Sequence, residues 1–375
     1  MTSILRHHCR SVTVATALLA CAGCAPTATV APPSAAAPVP AVAAPVIPAI
    51  AVPPVGETVA VATLNADAAD DPAIWAAPPG RRAMLAGASI AGFIAGTDKQ
   101  AGLYIYGLEG NQLQFIADGL LNNVDLREGF MVGGRPHVLI GASDRGRMGV
   151  ALYLFDPAST DPANAIRAAG FIASDVAEPY GFCMGRAGNE HHAVLIGKDG
   201  EARVYAVENE GAGGREIARF AIGSQSEGCV VDETGGYFYV GEEARGLWRY
   251  ELGAPQNRVL VELVGNGRLV ADVEGVTLIA DGAARYLLVS SQGDSAFAVW
   301  RIDGAEPVWR GRFSVTAAGG IDAVTGTDGL DARGGPVGDW PEGLVVVQDD
   351  ENEGMSQNFK LIDWRDIRAA LRIER

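Results

Sequence analysis

Apolar and polar positions alternate along this chain in short runs, most plainly in ADVEGVTLIADGAARYLLVSSQGDSAFAVWRIDG (271–304). VTLIA (276–280), YLLVSS (286–291) and FAVWRI (297–302) have strand length, with Asp281-Gly282 and Gln292-Gly293-Asp294 as turns between them. β-Branched and aromatic residues suit a pleated, half-buried surface, and Asp-Gly supplies the backbone of a tight turn. An acidic pair, Asp272 and Glu274, stands just before the first run.

The same order recurs. It returns in SEGCVVDETGGYFYVGEEARGLWRYEL (226–252), EPYGFCMGRAGNEHHAVLIGKDGEARVYAV (178–207) and NNVDLREGFMVGGRPHVLIGASDRGRMGVALYLFD (122–156). A longer copy runs from DDPAIW (70–75) to GTDKQAGLYIYGL (96–108), and the last joins PEGLVVVQDDEN (341–352) to NFKLIDW (358–364). Six copies at a period of roughly forty to fifty residues predict an all-β fold, a six-bladed β-propeller. One such sheet cannot bury both of its faces, so neighbouring blades stack around an axis. A β-sandwich of irregular hairpins is the alternative, but it gives no reason for a polar turn to recur in register.

In a meandering blade, the start of the inner strand and the turn between strands two and three lie at the same end. Asp70, Asp71, Asn122, Asn123, Asp125, Tyr180, Glu227, Asp272 and Glu274 are therefore expected on one face. Lys99, Arg145, Lys198, Asp199, Glu242, Glu243, Asp294 and Asn352 join them there. Turn residues are usually polar, so a solvated rim is the bland reading. Recurrence at the axis-facing end of each blade favours a site.

The first 24 residues read as a signal peptide with a lipobox. Arg6 and Arg10 precede the short apolar run SVTVATALLA (11–20), which is too short to anchor in a bilayer. LLACAGC (18–24) offers Cys21 or Cys24 for lipidation, with plain cleavage and secretion as the alternative. The expected product is exported, an outer-membrane or periplasmic lipoprotein held at a membrane by its N-terminal lipid. Residues 25–56 are rich in Ala, Pro and Val and are expected as a semi-rigid spacer. Residues 57–375 form the propeller domain, expected to be a monomer.

Of five cysteines, only Cys183 and Cys229 lie beyond the leader. Both stand near the start of an inner strand and are expected as buried small hydrophobes, with no disulfide framework or CxxC pattern. The net charge of −16 argues against nucleic acid as a partner. An anionic substrate would need bridging cations, and carboxylate-lined turns offer the hard oxygens that calcium takes. The five histidines form no phosphatase signature, and GxSxG and HExxH are absent. With no evident side-chain nucleophile, metal-activated water is the economical route to hydrolysis.

DAADDPAIW (67–75), LNNVD (121–125), YGF (180–182), SQSEG (224–228), DVEG (272–275), SSQG (290–293), TDG (327–329) and QNFK (357–360) together resemble the β-propeller phytases in order and spacing. The resemblance covers nearly all of 65–365. It implies a six-bladed propeller that hydrolyses calcium phytate (inositol hexakisphosphate) stepwise, using several calcium ions. By the same resemblance, Lys99, Arg145, Tyr180 and Lys198 match positions that contact substrate phosphates. Glu227, Glu243, Glu274, Asp322 and Asn352 match the catalytic calcium cluster and its substrate site. Asp71, Pro72 and Val124 match positions around a tightly held structural calcium.

Three departures from the family pattern stand out. Asp199 replaces the usual Glu, so a metal ligand there has a shorter reach. The loop TAAGGIDAVTGTDG (316–329) is poor in acids, although Asp322 and Asp328 remain. The insert AGASIAGFIAG (86–96) is expected to enlarge the turn region before Lys99 and so affect access to the site. Two other classes share the architecture: a non-catalytic calcium-binding propeller, and another extracellular calcium-dependent phosphoesterase or lactonase. The first has no need of Lys99, Arg145 and Lys198. The second calls for a histidine near the axis, and none of the blade-entry turns contains one.

Overall fold

The computed structural model describes residues 44–64 and 67–374. Their strands form six blade sheets, each built on an antiparallel meander, and one separate two-stranded hairpin. The innermost strands are Ala69–Ala76, Leu121–Val132, Pro179–Ala187, Ser226–Asp232, Val276–Asp281 and Leu330–Gly334, for blades one to six. These strands touch one another in order, and the sixth returns to the first, which closes the ring. The expected six-bladed propeller is what forms.

Alternation along the strands accounts for the packing. Each junction between consecutive blades is filled by its own cluster of buried apolar side chains. Between blades one and two, the Trp75 ring centroid lies 5.4 Å from that of Phe93 and 5.2 Å from that of Phe155. Burying side chains of this size stabilises by about 1.5–3 kcal/mol each. At the C-terminus, helix Trp364–Leu371 is capped by the Asp363 carboxylate, which accepts from the Arg365 N–H at 2.9 Å. It buries Trp364, Ile367 and Leu371 in the cluster between blades five and six.

The ring closes through a strap formed by the N-terminal end of the described chain. Gly56–Glu57 pairs antiparallel with Asn358–Asp363 and supplies the outer strand of blade six. Ile50–Val52 runs parallel to Val308–Val315 as a fifth strand of blade five. This triplet sits between Pro48 and Pro53 and contains no proline, so its N–H groups remain free to donate. The buried Arg312 guanidinium donates to the Ile47 carbonyl at 2.8 Å. The fold thus takes up the chain from residue 44, upstream of the boundary expected at 56/57. The rest of the expected linker, 25–43, lies outside the described residues, as do the leader 1–24 and its lipobox.

Two further expectations are corrected. Cys183 and Cys229 are bonded in a disulfide, with Cα atoms 5.7 Å apart, and are not independent buried thiols. The positions are 46 apart in sequence, and ring geometry makes neighbours of the inner strands that carry them. The insert near 86–96 also lies elsewhere than expected. Ala83–Leu85 and Ala88–Ile90 form a separate hairpin between the first two strands of blade one. That connection lies at the Ala76–Gly92 end of the blade, whereas Lys99 follows the Ala69–Asp98 end. The hairpin tip bonds instead to Pro162 and Asn164 of blade two, so it does not border the approach to Lys99.

Candidate active site

At the entry to the innermost strand, blades one to four share a local irregularity. Asp70-Asp71 lies opposite Thr97 alone, and Asn122-Asn123 opposite Ser143. Tyr180-Gly181 lies opposite Ile196, and Glu227-Gly228 opposite Gly241. Two residues against one is a β-bulge, which kinks the strand and re-aims a side chain. In blades one and two the opposing hydroxyl satisfies the N–H that the bulge frees from the ladder. Thr97 Oγ1 accepts from the Asp71 N–H at 3.1 Å, and Ser143 Oγ from the Asn123 N–H at 3.0 Å.

Glycine then lets the strands close up. In blades three to six the residue facing the axis is followed by Gly181, Gly228, Gly275 or Gly329. A Cβ on Gly181 would meet the Glu227 carbonyl oxygen at 2.2 Å, and one on Gly228 the Glu274 carbonyl oxygen at 2.1 Å. These positions have no room for any side chain. Tyr180, Glu227, Glu274 and Asp328 are brought together because the backbones beneath them touch.

The result is a cavity of about 550 Å³ at the axial end of the propeller. Its wall receives side chains from all six blades: Lys99 from one, Asn122 and Arg145 from two, and Tyr180 and Lys198 from three. Glu227 and Glu243 come from four, Glu274 and Gln292 from five, and Asp328 and Asp350 from six. Cations and Tyr180 thus occupy one arc, and carboxylates dominate the opposite one.

The carboxylate arc centres on Glu227, Glu243 and Glu274, which are buried and offer oxygens within 4.8 Å of one another. Burial, then the Glu227 charge, raises the Glu243 carboxyl to about 7. The same two causes push Glu274 well above the carboxylate range. Glu243 Oε1 and Glu274 Oε2 are buried without a hydrogen-bond partner. Three crowded acids with orphaned oxygens can hold a metal ion, and only hard oxygen donors are present. The Asn122 amide donates to Glu227.

The cations differ in what they already hold. Burial pulls the Lys99 ammonium down, but the nearby carboxylates outweigh it and keep the group charged. Its Nζ stands 2.7 Å from Asp67, 2.9 Å from Asp328 and 3.0 Å from Asp70. Arg145 donates one N–H to the Lys99 carbonyl at 2.8 Å, while its Nε has no partner. Lys198 is exposed at the rim, with its ammonium 5.1 Å from the centre of the Tyr180 ring. Burial, then the Glu227 charge, raises the Tyr180 hydroxyl far above its ordinary value, so it stays protonated.

Other expected positions fall outside this cavity. Asp71, Pro72 and Val124 line a separate axial cavity of about 350 Å³, where Asp71 Oδ2 accepts from the Val124 N–H at 3.0 Å. Asp322 and Asn352 border a neighbouring pocket and face the buried Lys360 ammonium. The same ammonium is 2.6 Å from Glu57 and 3.3 Å from Asp349. Asp199 is exposed and accepts from the Glu201 N–H of its own turn at 3.2 Å. Asp125 pairs with Arg127, Asp294 with Arg312, and Glu242 accepts from Trp248 Nε1 at 2.8 Å. Gln225 and Gln292 are site residues that the sequence pattern does not single out. Gln292 occupies the blade-five turn equivalent to those of Lys99 and Arg145, a signal that repeat position could have supplied.

A family model described as Phytase matches residues 18–374. The 3-phytase of Bacillus subtilis (strain 168) is 33% identical over 324 residues, which are 80% of this chain and 80% of that one. Among solved structures, BBS1N in complex with ARL6DN superposes with a TM-score of 0.44 at 10% identity, over 72% of this chain and 74% of that chain. The Cps50 (Swd1) β-propeller domain of Myceliophteria thermophila gives a TM-score of 0.42 at 11% identity, over 72% and 80%.

Proposed function

We propose, for a chain that belongs to the phytase family and so hydrolyses phytate, that the reaction runs in the 550 Å³ cavity with calcium held by Glu227, Glu243 and Glu274. The observation that carries this reading is the division of one cavity into a cationic arc and a carboxylate arc. Phytate is a polyanion, and a face of carboxylates alone would repel it. The donor set suits calcium, which takes six to eight hard oxygens in flexible geometry. The orphaned oxygens of Glu243 and Glu274 are what an ion there would satisfy. Calcium, when bound, supplies positive charge against the cluster, Lewis acidity toward a phosphoryl oxygen and a water of lowered pKa.

The chain's own groups bind and orient. Arg145 forms no ion pair among the described residues, so its planar fork is open to bidentate contact with a phosphate. Lys198, at the rim, adds a mobile charge for the same or a neighbouring phosphate. Tyr180 stays neutral, so its hydroxyl keeps a proton that it can donate. Lys99 spends its ammonium on Asp67, Asp70 and Asp328 and so offsets part of the carboxylate charge beside the cationic arc. In this reading, Arg145 and Lys198 stabilise charge that develops on the phosphoryl oxygens.

Asp71, Pro72 and Val124 are proposed as a second calcium position, with carboxylate and carbonyl oxygens at the axial cavity. Asp322 and Asn352 fit an ion less well, because the Lys360 ammonium already faces both. The chain is proposed to act as an exported monomer, attached to a membrane through Cys21 or Cys24. The leader composition supports export, and the Cys183–Cys229 disulfide suits an oxidising compartment. A ring that closes with its own strands supports the monomer.

The test is phosphate release from phytate by residues 44–375, with calcium and with chelator. Release that depends on calcium and collapses in Glu227→Gln supports the reading. Undiminished release in chelator, or in Glu227→Gln, defeats it.

A further inference from the structure

The inner strands of blades three and four each place a cysteine just below a residue of the cavity. Cys183 follows Tyr180 by three positions, and Cys229 follows Glu227 by two. Their disulfide crosses the junction between two separate sheets. Both residues are buried, and Cys229 borders the axial cavity under the site. The junction is tight, since no Cβ can fit at Gly181 against the Glu227 carbonyl. Above the disulfide, Gln225 Nε2 donates to the Tyr180 hydroxyl at 3.3 Å, and the Gln225 carbonyl accepts from the Glu243 N–H at 3.1 Å. Tyr180 is thus tied to blade four covalently from below and by a hydrogen bond from above.

We propose that the Cys183–Cys229 disulfide is a positioning cross-link, which sets the spacing between Tyr180 and Lys198 on blade three and the Glu227–Glu243–Glu274 cluster beyond the junction. This rests on reading that cluster as the calcium site. Neighbouring blades belong to different sheets, so a small tilt of one against the next leaves every ladder hydrogen bond in place. Such a tilt is the easy distortion of this fold, and a site needs its groups held within about 0.5 Å. A covalent bond two or three residues from both groups removes the tilt where it matters. A bond needed only for stability would serve equally well at the outer strands. The cysteines touch neither substrate nor metal and act only through the residues above them.

The test compares the full chain with its Cys183→Ala/Cys229→Ala variant at a temperature below both unfolding transitions. Two quantities are read: the calcium-binding isotherm, and kcat and KM for phytate. A calcium midpoint weakened about tenfold and a kcat lowered about tenfold or more are expected, since misplacement by 1 Å can cost about a hundredfold. A variant that melts earlier, yet keeps the native isotherm and kcat, overturns the proposal and leaves a plain staple. If the variant does not fold, native protein is treated with a dithiol. The reagent is oxidised to its cyclic disulfide while two protein thiols appear, which a thiol titration counts. The isotherm and kcat of the reduced protein then decide in the same way: weakened values support the cross-link, and native values overturn it. Native protein that neither binds calcium nor releases phosphate overturns this proposal and the site reading together. Native activity with an unaltered variant overturns the cross-link alone.

Discussion

Arg145 and Lys99 carry the same charge and stand on adjacent blades, but they are bonded differently, and substitution should separate them. Lys99 is the cation shared by three carboxylates, one of which, Asp70, is fully buried. Lys99→Met should therefore cost about 3–5 kcal/mol of stability, by stranding buried charge, as well as activity. Arg145 balances no carboxylate, so Arg145→Ala should leave the melting temperature nearly unchanged while kcat/KM falls about 10²–10³-fold. Calorimetry beside steady-state kinetics decides; an Arg145→Ala enzyme with native kcat/KM would remove that residue from the site. With calcium chelated, Asp331, which lines the axial cavity, offers a pH test away from the Glu227–Glu243–Glu274 cluster. Burial, then the Asp125 charge, raises its carboxyl to about 6. Its ionised form is disfavoured in the fold, so stability falls as pH rises from about 4 to about 6 and is level above. Asp331→Asn should be close to native in stability at pH 4 and more stable by on the order of 2 kcal/mol at pH 7. Melting curves that stay parallel across that range would refute the assignment. Sequence made Lys99, Arg145 and Lys198 legible, because each fills the same turn of a repeating unit. It could not show which of them is already neutralised, since Asp67, Asp70 and Asp328 reach Lys99 only through ring closure.

Strands and turns were legible for a similar reason: period-two alternation and Asp-Gly turns act locally. The bulges were not, because one extra residue per strand hides inside an otherwise regular pattern. The disulfide was also out of reach, since pairing Cys183 with Cys229 requires knowing that their blades are consecutive around an axis. Its loop of 46 residues corresponds to about 4 kcal/mol in the chain-entropy model, so the doubly substituted protein should melt well below the native one. The strap escapes a reading of composition because proline-rich sequence predicts an extended spacer. Extended backbone is also what a strand needs, and the proline-free triplet Ile50–Val52 is enough to pair. Two truncations test the strap. Removing residues 1–43 should leave melting and activity of the domain intact. Removing 1–57 takes away both strap strands and should lower the melting temperature by about 5 °C, as a loss of a few kcal/mol does in a domain of this size, or prevent soluble folding. A 58–375 protein that melts like the 44–375 protein would show that the ring closes without the strap.

The whole molecule carries a net charge of −16 and gathers buried acids around its axis, so it is built short of positive charge. Calcium removal should therefore be felt globally. Chelation should abolish phosphate release and lower the melting temperature, and added calcium should restore both. A ligand at about 100 times its Kd contributes about 2.7 kcal/mol by mass action. Magnesium should restore little, because it demands octahedral geometry and parts with its waters reluctantly. Full recovery in magnesium would show that the site is less selective than its carboxylates suggest.

Blade six draws its outer strand from Gly56–Glu57 and the rest from residues 330–363. A ribosome makes that outer strand early and must add some 300 residues before its partner exists. No shortened product can complete the ring, whatever its length, and each would display an unpaired edge that proteases and chaperones recognise.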